Sequence, residues 1–152
     1  MKDAHDGVRL SLRLLSTARL IEREIDTLMR ARFGSTLARF DFLAALERHG
    51  PLTLGVVSQF LLVSNGNVTG LAARLKADGL IEAREDESDR RVQRVRLTPR
   101  GESLFRKMAK AHEICVERLL GELEQNDKQA LMRLLDGAKA SVRGKLGREA
   151  TP

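Results

Sequence analysis

The sequence predicts a mainly α-helical chain with one small β-hairpin: a winged helix-turn-helix set between long N- and C-terminal helices. Three observations carry that expectation. Apolar residues recur at three- and four-residue steps through most of the chain. The period falls to two only around residues 81–97. Just before that change, a short helical segment and a longer one follow each other across a tight turn.

The first helix is expected over Val8–Phe33, where Leu10, Leu14, Ala18, Ile21, Ile25, Leu28 and Met29 share one face. Gly34 is placed to end it, and Ser35 or Thr36 to cap the next. That second helix carries Leu37, Phe40, Leu43, Ala44 and Leu46 and stops at "HGP", His49–Pro51. Thr53 opens a short third helix through Val56, Val57, Phe60 and Leu61, and Ser64 is the cap expected for a fourth that ends at Gly79.

Past Gly79, Ile81 and Ala83 alternate with Glu82 and Arg84, and Val95 and Leu97 with Arg94 and Arg96. A charged turn, Glu85–Arg91, joins the two runs into a hairpin. Thr98 then caps a fifth helix with Pro99 in its first position and Leu104, Met108, Ala111, Cys115 and Leu119 on one face. Asn126 or Asp127 starts the last helix, through Leu131, Leu134, Leu135 and Ala138, and the tail "VRGKLGREATP" is expected to fray.

Composition narrows the partner. Lys and Arg number 27 against 21 Asp and Glu, a net charge of +6, which favours an anionic partner such as nucleic acid. One cysteine, Cys115, excludes an internal disulfide framework and fits a reducing cytoplasm, and no apolar run approaches a membrane span, so a soluble cytoplasmic protein without a membrane partner is expected. No nucleophile with its base and no phosphate-cradling loop appears among three His and the spaced glycines, so an enzyme is not expected, and no cofactor or metal is implied.

The stretch "VSNGNVTGLAARL", residues 63–75, concentrates poor helix formers where a helix is wanted. Gly66 and Gly70 each cost a helix interior about 1 kcal/mol relative to Ala. Gly and Asn clusters by themselves mark loops. Between a short helix and a basic hairpin they read differently: the second helix of such a motif enters the major groove of DNA, where contact chemistry outranks propensity. Ser64, Asn65, Asn67, Thr69 and Arg74 are then the candidate base and phosphate contacts, around a smooth glycine strip that lets backbone approach closely.

From Leu52 to Gly101 the chain resembles the MarR family of bacterial transcription regulators, carried by "SNGNVTGLAARLKADGLIEAREDESDRRVQRVRLTPRG". Asp89, Arg91, Leu97, Thr98 and Gly101 stand where the family's wing signature has its Asp, Arg, Leu-Thr and Gly. The flanking long helices also fit. The resemblance implies a homodimer on double-stranded, palindromic operator DNA. In it, residues 1–34 and 121–152 are dimerisation helices, 35–100 a winged helix-turn-helix DNA-binding domain, and 98–121 a linking helix. It implies too that Arg91, held by Asp89 with Arg90 beside it, enters the minor groove, and that a ligand releases the DNA. The apolar faces of the terminal helices demand a partner on physical grounds as well.

A finer resemblance concerns the effector. "RLSLRLLSTARLIEREI" and "TLARFDFLAALERHG" are similar to MarR proteins that control hydroxycinnamate breakdown and respond to an aryl-CoA thioester such as p-coumaroyl-CoA or feruloyl-CoA. A small aromatic effector would meet a cleft lined by Leu15, Ser16, Phe40, Leu43, Met108 and His112, with Arg9, Arg13, Arg19 and Arg39 near it; core packing and solvated surface explain the same residues. Two alternatives remain open: a metal or thiol switch through His112 and Cys115, at helical i, i+3 spacing, and an architectural DNA binder with no ligand.

Overall fold

A computed structural model of the chain describes residues 2–61 and 65–149. It divides into two compact units, residues 1–116 and 117–152. The element order is α1 (Lys2–Phe33), α2 (Leu37–His49), α3 (Leu54–Leu61), α4 (Asn65–Ala77), β1 (Ile81–Glu85), β2 (Gln93–Leu97), α5 (Pro99–Leu120) and α6 (Gln125–Glu149). No helix among the described residues is long and apolar enough to cross a membrane.

Local chemistry sets the boundaries in the first unit. Gly34, at φ 56°, ends α1, and the amide of Ser35 reaches the Met29 carbonyl. Thr36 caps α2, its hydroxyl accepting from the Arg39 amide at 3.2 Å. Gly50, at φ 75°, closes α2, and Thr53 caps α3 by accepting from the Val56 amide at 3.3 Å. Gly79, at φ 70°, follows α4 and turns the chain into the hairpin. α1 begins earlier than the apolar pattern predicts; Asp6 suits the positive end of its dipole. The cap expected at Ser64 lies outside the described residues.

The core of the first unit collects one face from each of α1 to α5: Ile25 and Met29, Phe42 and Leu43, Val57, Val68 and Leu75, then Met108 and Ala111. The hairpin pairs antiparallel with Ile81 opposite Leu97 and Ala83 opposite Val95. Leu52 joins its edge through reciprocal bonds with Val95 at 3.0 and 2.8 Å, tying the α2–α3 connection to the wing. One close approach locks the base of the wing. Thr98 donates its amide to Leu80 O and its hydroxyl to Gly79 O, while its oxygen caps α5 at Gly101 N. A Cβ on Gly101 would stand 2.0 Å from Leu80 O, so this position admits only glycine.

In the second unit α6 begins at Gln125, one or two residues before the expected start, and the Lys128 amide bonds to Glu124 O. It continues to Glu149, within the tail that the sequence predicts to fray. Ala138, Ala140, Lys145 and Leu146 supply helix propensity that outweighs Gly144. Leu134, Val142 and Leu146 are largely exposed along it.

Candidate nucleic-acid interface

α4 has two faces of opposite character. Val68, Leu71, Ala72 and Leu75 are buried, whereas Gly66, Asn67, Thr69, Gly70 and Arg74 face outward. Asn65 opens the helix, its side chain outside the described set, as is all of Ser64. A Cβ built on Gly66 or Gly70 would meet nothing within 4 Å. The chain's own packing therefore gives no reason for glycine at either place.

The wing presents a guanidinium on a stiff support. The Arg91 side chain is 92% exposed, yet Asp89 Oδ1 accepts from both its amide, at 3.0 Å, and its Nε, at 3.3 Å. Arg90 beside it is also exposed. The turn beneath is organised by Asp86, a residue the sequence reading passed over. Asp86 accepts from Ser88 N at 2.8 Å, from Asp89 N at 3.3 Å, and from Ser88 Oγ and Arg94 Nε. The Ser88 hydroxyl and then Arg94 hold its carboxyl far below the usual carboxylate range. The Asp-x-Ser spacing of an Asx turn was the available signal. Lower on the hairpin, Arg96, with Arg84, holds the Glu82 carboxyl below its ordinary value.

Two clasps orient α2. Asp26 of α1 accepts from the Leu37 amide at 2.8 Å and from Arg30 at 2.6 Å, which lowers its pKa. Arg39, in the first turn of α2, pairs with Asp78 just beyond α4. Arg39 thus has a structural partner, although its Nε is buried without one.

The residues expected to line an effector cleft fall into different environments. Leu43 and Met108 are completely buried and Phe40 nearly so, which makes them packing residues within the chain. Leu15 and Ser16 are exposed on α1, as are Arg9, Arg13 and Arg19. Arg9 lies 3.9 Å from Asp6, and Arg13 donates to Arg9 O. His112 stacks on Phe40 at 4.9 Å, and Phe105 stacks on the same ring at 5.6 Å; burial lowers the imidazole pKa and favours its neutral form. Cys115 is buried, and no three His, Cys, Asp or Glu side chains converge on a metal site among the described residues.

A separate cavity of about 400 Å³ opens between the start of α2 and α4, lined by Thr36, Ala38, Asp41, Leu61, Gly66, Asn67, Gly70, Leu71 and Arg74. Burial, with the Glu22 charge nearby, pushes the Asp41 carboxyl up to about 6. Nothing in "RFDFLAAL" distinguishes that Asp from an ordinary surface residue.

Residues 33–92 match the sequence model of the MarR family. Over 115 residues the chain is 30% identical to YfiV, an uncharacterized HTH-type transcriptional regulator of Bacillus subtilis, covering 71% of this chain and 72% of that one. It is 29% identical over 150 residues to the transcriptional activatory protein BadR of Rhodopseudomonas palustris, covering 93% of this chain and 85% of BadR. Its fold superposes on Bordetella bronchiseptica BpsR, whose DNA binding is regulated by 6-hydroxynicotinic acid, with a TM-score of 0.76 at 26% identity, over 85% of this chain and 91% of that one.

Proposed function

The chain belongs to the MarR family of transcriptional regulators, and from that premise we propose that it is a homodimeric repressor that leaves a palindromic operator when a small aromatic effector binds. It is a regulator and not an enzyme, as its relatives are.

The observation that carries the reading is the outward face of α4. Two glycines that the subunit does not need for packing lie among Asn67, Thr69 and Arg74. Poor helix formers held on a solvent face suit a surface that another molecule approaches to backbone distance. In the major groove of DNA, Asn67 would read a base edge, Thr69 a base or phosphate, and Arg74 a phosphate. Asn65 opens α4 at the end that would reach deepest, and Ser64 precedes it in sequence. Arg91, oriented by Asp89 and flanked by Arg90, would sit in the adjacent minor groove, where narrow geometry concentrates negative potential.

A second copy of the chain is the proposed cover for the terminal helices. Val8, Leu10, Leu12, Leu15 and Leu20 of α1 are each more than half exposed, and α6 exposes Leu134, Val142 and Leu146 to a similar degree. Faces this apolar are rare on stable monomers. A two-fold dimer would cover them and set two copies of α4 one DNA turn apart.

For the effector, BpsR offers support for a small aromatic acid, since 6-hydroxynicotinic acid regulates that relative. An aryl-CoA thioester would call on the exposed Arg9, Arg13 and Arg19 for its phosphates. The test is an anisotropy titration of the protein on DNA from its own promoter, repeated with p-coumaroyl-CoA, feruloyl-CoA, the free acids and CoA alone. Release by an acid or by a thioester supports the effector-responsive repressor. Tight, sequence-selective binding that none of them weakens removes this effector class, and salt-dependent binding without sequence preference removes the operator.

A further inference from the structure

The first turn of α2 is gripped from two sides by polar contacts that reach different helices. On one side, the Asp26 carboxyl of α1 accepts from the amide of Leu37, the first residue of α2, at 2.8 Å. A carboxylate at that place also meets the positive end of the α2 dipole. On the other side, the Arg39 guanidinium donates to Asp78, just beyond the C-terminal end of α4. The Arg39 amide is meanwhile committed to the Thr36 cap at 3.2 Å. One helical turn, cap included, therefore joins α1 to α4.

Apolar packing decides which face of α4 lies on the core, through Val68, Leu71, Ala72 and Leu75. A charge-assisted bond at its end decides where that end lies, because such a bond weakens steeply with distance and angle. The fastened end is the one opposite Asn65, where the proposed base contacts begin. A displacement at Asp78 would tilt the helix and swing its far end. The other side of the joint is α1, whose exposed Val8, Leu12 and Leu15 belong to the face proposed for the second copy.

We propose that Asp26, Arg39 and Asp78 are positioning residues for DNA recognition, joined through the first turn of α2 into a relay from α1 to α4. None of the three stands on the outward face of α4 or on the wing. The relay rests on the operator-binding reading above and gives it a route from the terminal helix to the recognition helix. Breaking it at either end leaves α4 folded but admits more than one orientation. Base contacts, which need every side chain in register, are lost first; contacts to phosphates, which carry no sequence information, are kept.

Anisotropy titrations of the full chain on operator DNA and on a scrambled duplex of equal length test the relay. Asp26→Ala and Asp78→Ala should each weaken operator binding about tenfold while leaving the scrambled duplex and the salt dependence unchanged. The double variant should also lose about tenfold, not a hundredfold, because the two residues act in series although they do not touch. Asp26→Asn, which keeps an oxygen for the Leu37 amide, should retain the parent's selectivity. Arg30→Gln should retain it too, since it removes only the partner that Asp26 has on its own helix. Unchanged selectivity in either alanine variant, equal losses on both duplexes, or additive losses in the double variant overturns the relay.

Hydrogen exchange without DNA keeps this proposal separate from the operator reading. The Asp78 and Gly79 amides bond to Arg74 O and Lys76 O. Asp26→Ala should speed their exchange by a larger factor than it does in the middle of α5, and Asp26→Asn should not. If that holds but the parent binds both duplexes alike, the joint stands and the operator reading falls. If the parent is selective but Asp26→Ala alters neither selectivity nor exchange at Asp78 and Gly79, the relay falls and the operator reading stands.

Discussion

Arg39 in the first turn of α2 and Asp78 just past α4 form an ion pair across 39 positions of sequence. It fastens the end of the proposed recognition helix to the helix that Asp26 has already docked on α1. The two partners differ in exposure, with the Arg39 side chain 20% exposed and Asp78 51%. Removing the exposed partner is then worse than removing the buried one. Asp78→Asn leaves a mostly buried guanidinium without its counter-ion and should cost about 1–2 kcal/mol in urea unfolding. Arg39→Met also removes the buried, unpartnered Nε and should cost less than Asp78→Asn. The opposite order would show that Asp78 contributes little to the clasp.

Gly101→Ala should be among the most damaging single substitutions in the chain. The new Cβ would lie 2.0 Å from Leu80 O and 2.9 Å from Leu80 C, and backbone has nowhere cheap to move. The same strain would pull on the Thr98 amide bond to Leu80 O. The expected loss is about 3 kcal/mol or more, read as a lowered urea midpoint at unchanged slope. A loss below 1 kcal/mol would mean that α5 shifts freely on the wing, roughly the price of a surface substitution.

Gly66→Ala should behave in the opposite way. Its Cβ would meet open space, and alanine is the better helix former by about 1 kcal/mol. The free protein is expected to gain up to that amount of stability while operator affinity falls. Measured together by thermal unfolding and anisotropy, a gain in both would remove the close-approach role proposed for the glycine strip.

Much of this was legible in the sequence, and what was missed has a common cause. Helix ends at Gly34, Gly50 and Gly79, caps at Thr53 and Thr98 and at one of Ser35 and Thr36, and the presence of the hairpin all follow from local chemistry within a few residues. The outward polar set on α4 could be read for the same reason, since one helix repeat separates inside from outside. The Arg39–Asp78 pair and the cavity at Asp41 depend on residues far apart in sequence, where no spacing rule applies. Burial was not legible from spacing either: Leu43 and Met108, expected at a cleft wall, are fully buried within the chain. The tail misled in the other direction, because two glycines suggested fraying where neighbouring alanines sustain helix.

On the wing, Arg91→Ala and Asp86→Ala should weaken DNA binding by different routes. Arg91 is 92% exposed, so its removal should leave the melting temperature unchanged and cut operator affinity with a shallower salt dependence. Asp86 organises the turn through Ser88, Asp89 and Arg94, so its removal should loosen the wing tip and speed amide exchange at Ser88 and Asp89. A second test separates them. Asp86→Ala should weaken affinity less when Arg91 is already alanine, because both act on one contact. Fully additive losses would place the Asp86 effect elsewhere.

Asp41 gives the chain a pH dependence of stability with a definite sign. Burial and then Glu22 raise its pKa from an ordinary 3.8 to about 6. Between those values the folded chain holds a proton that the unfolded chain has released. Stability from this group therefore falls as pH rises from about 4 through 6, and above 6 the ionised carboxylate is a constant cost. A shift of this size corresponds to about 3 kcal/mol at most, and partial solvation reduces it to about 1–2 kcal/mol. Asp41→Asn should recover that amount at about pH 8 and almost none at about pH 4, where the parent is already neutral. Denaturant titrations of both proteins across this range decide it. A gap that is constant with pH, or that widens toward acid, would mean that Asp41 is solvated or paired and not confined in the cavity with its charge unmet.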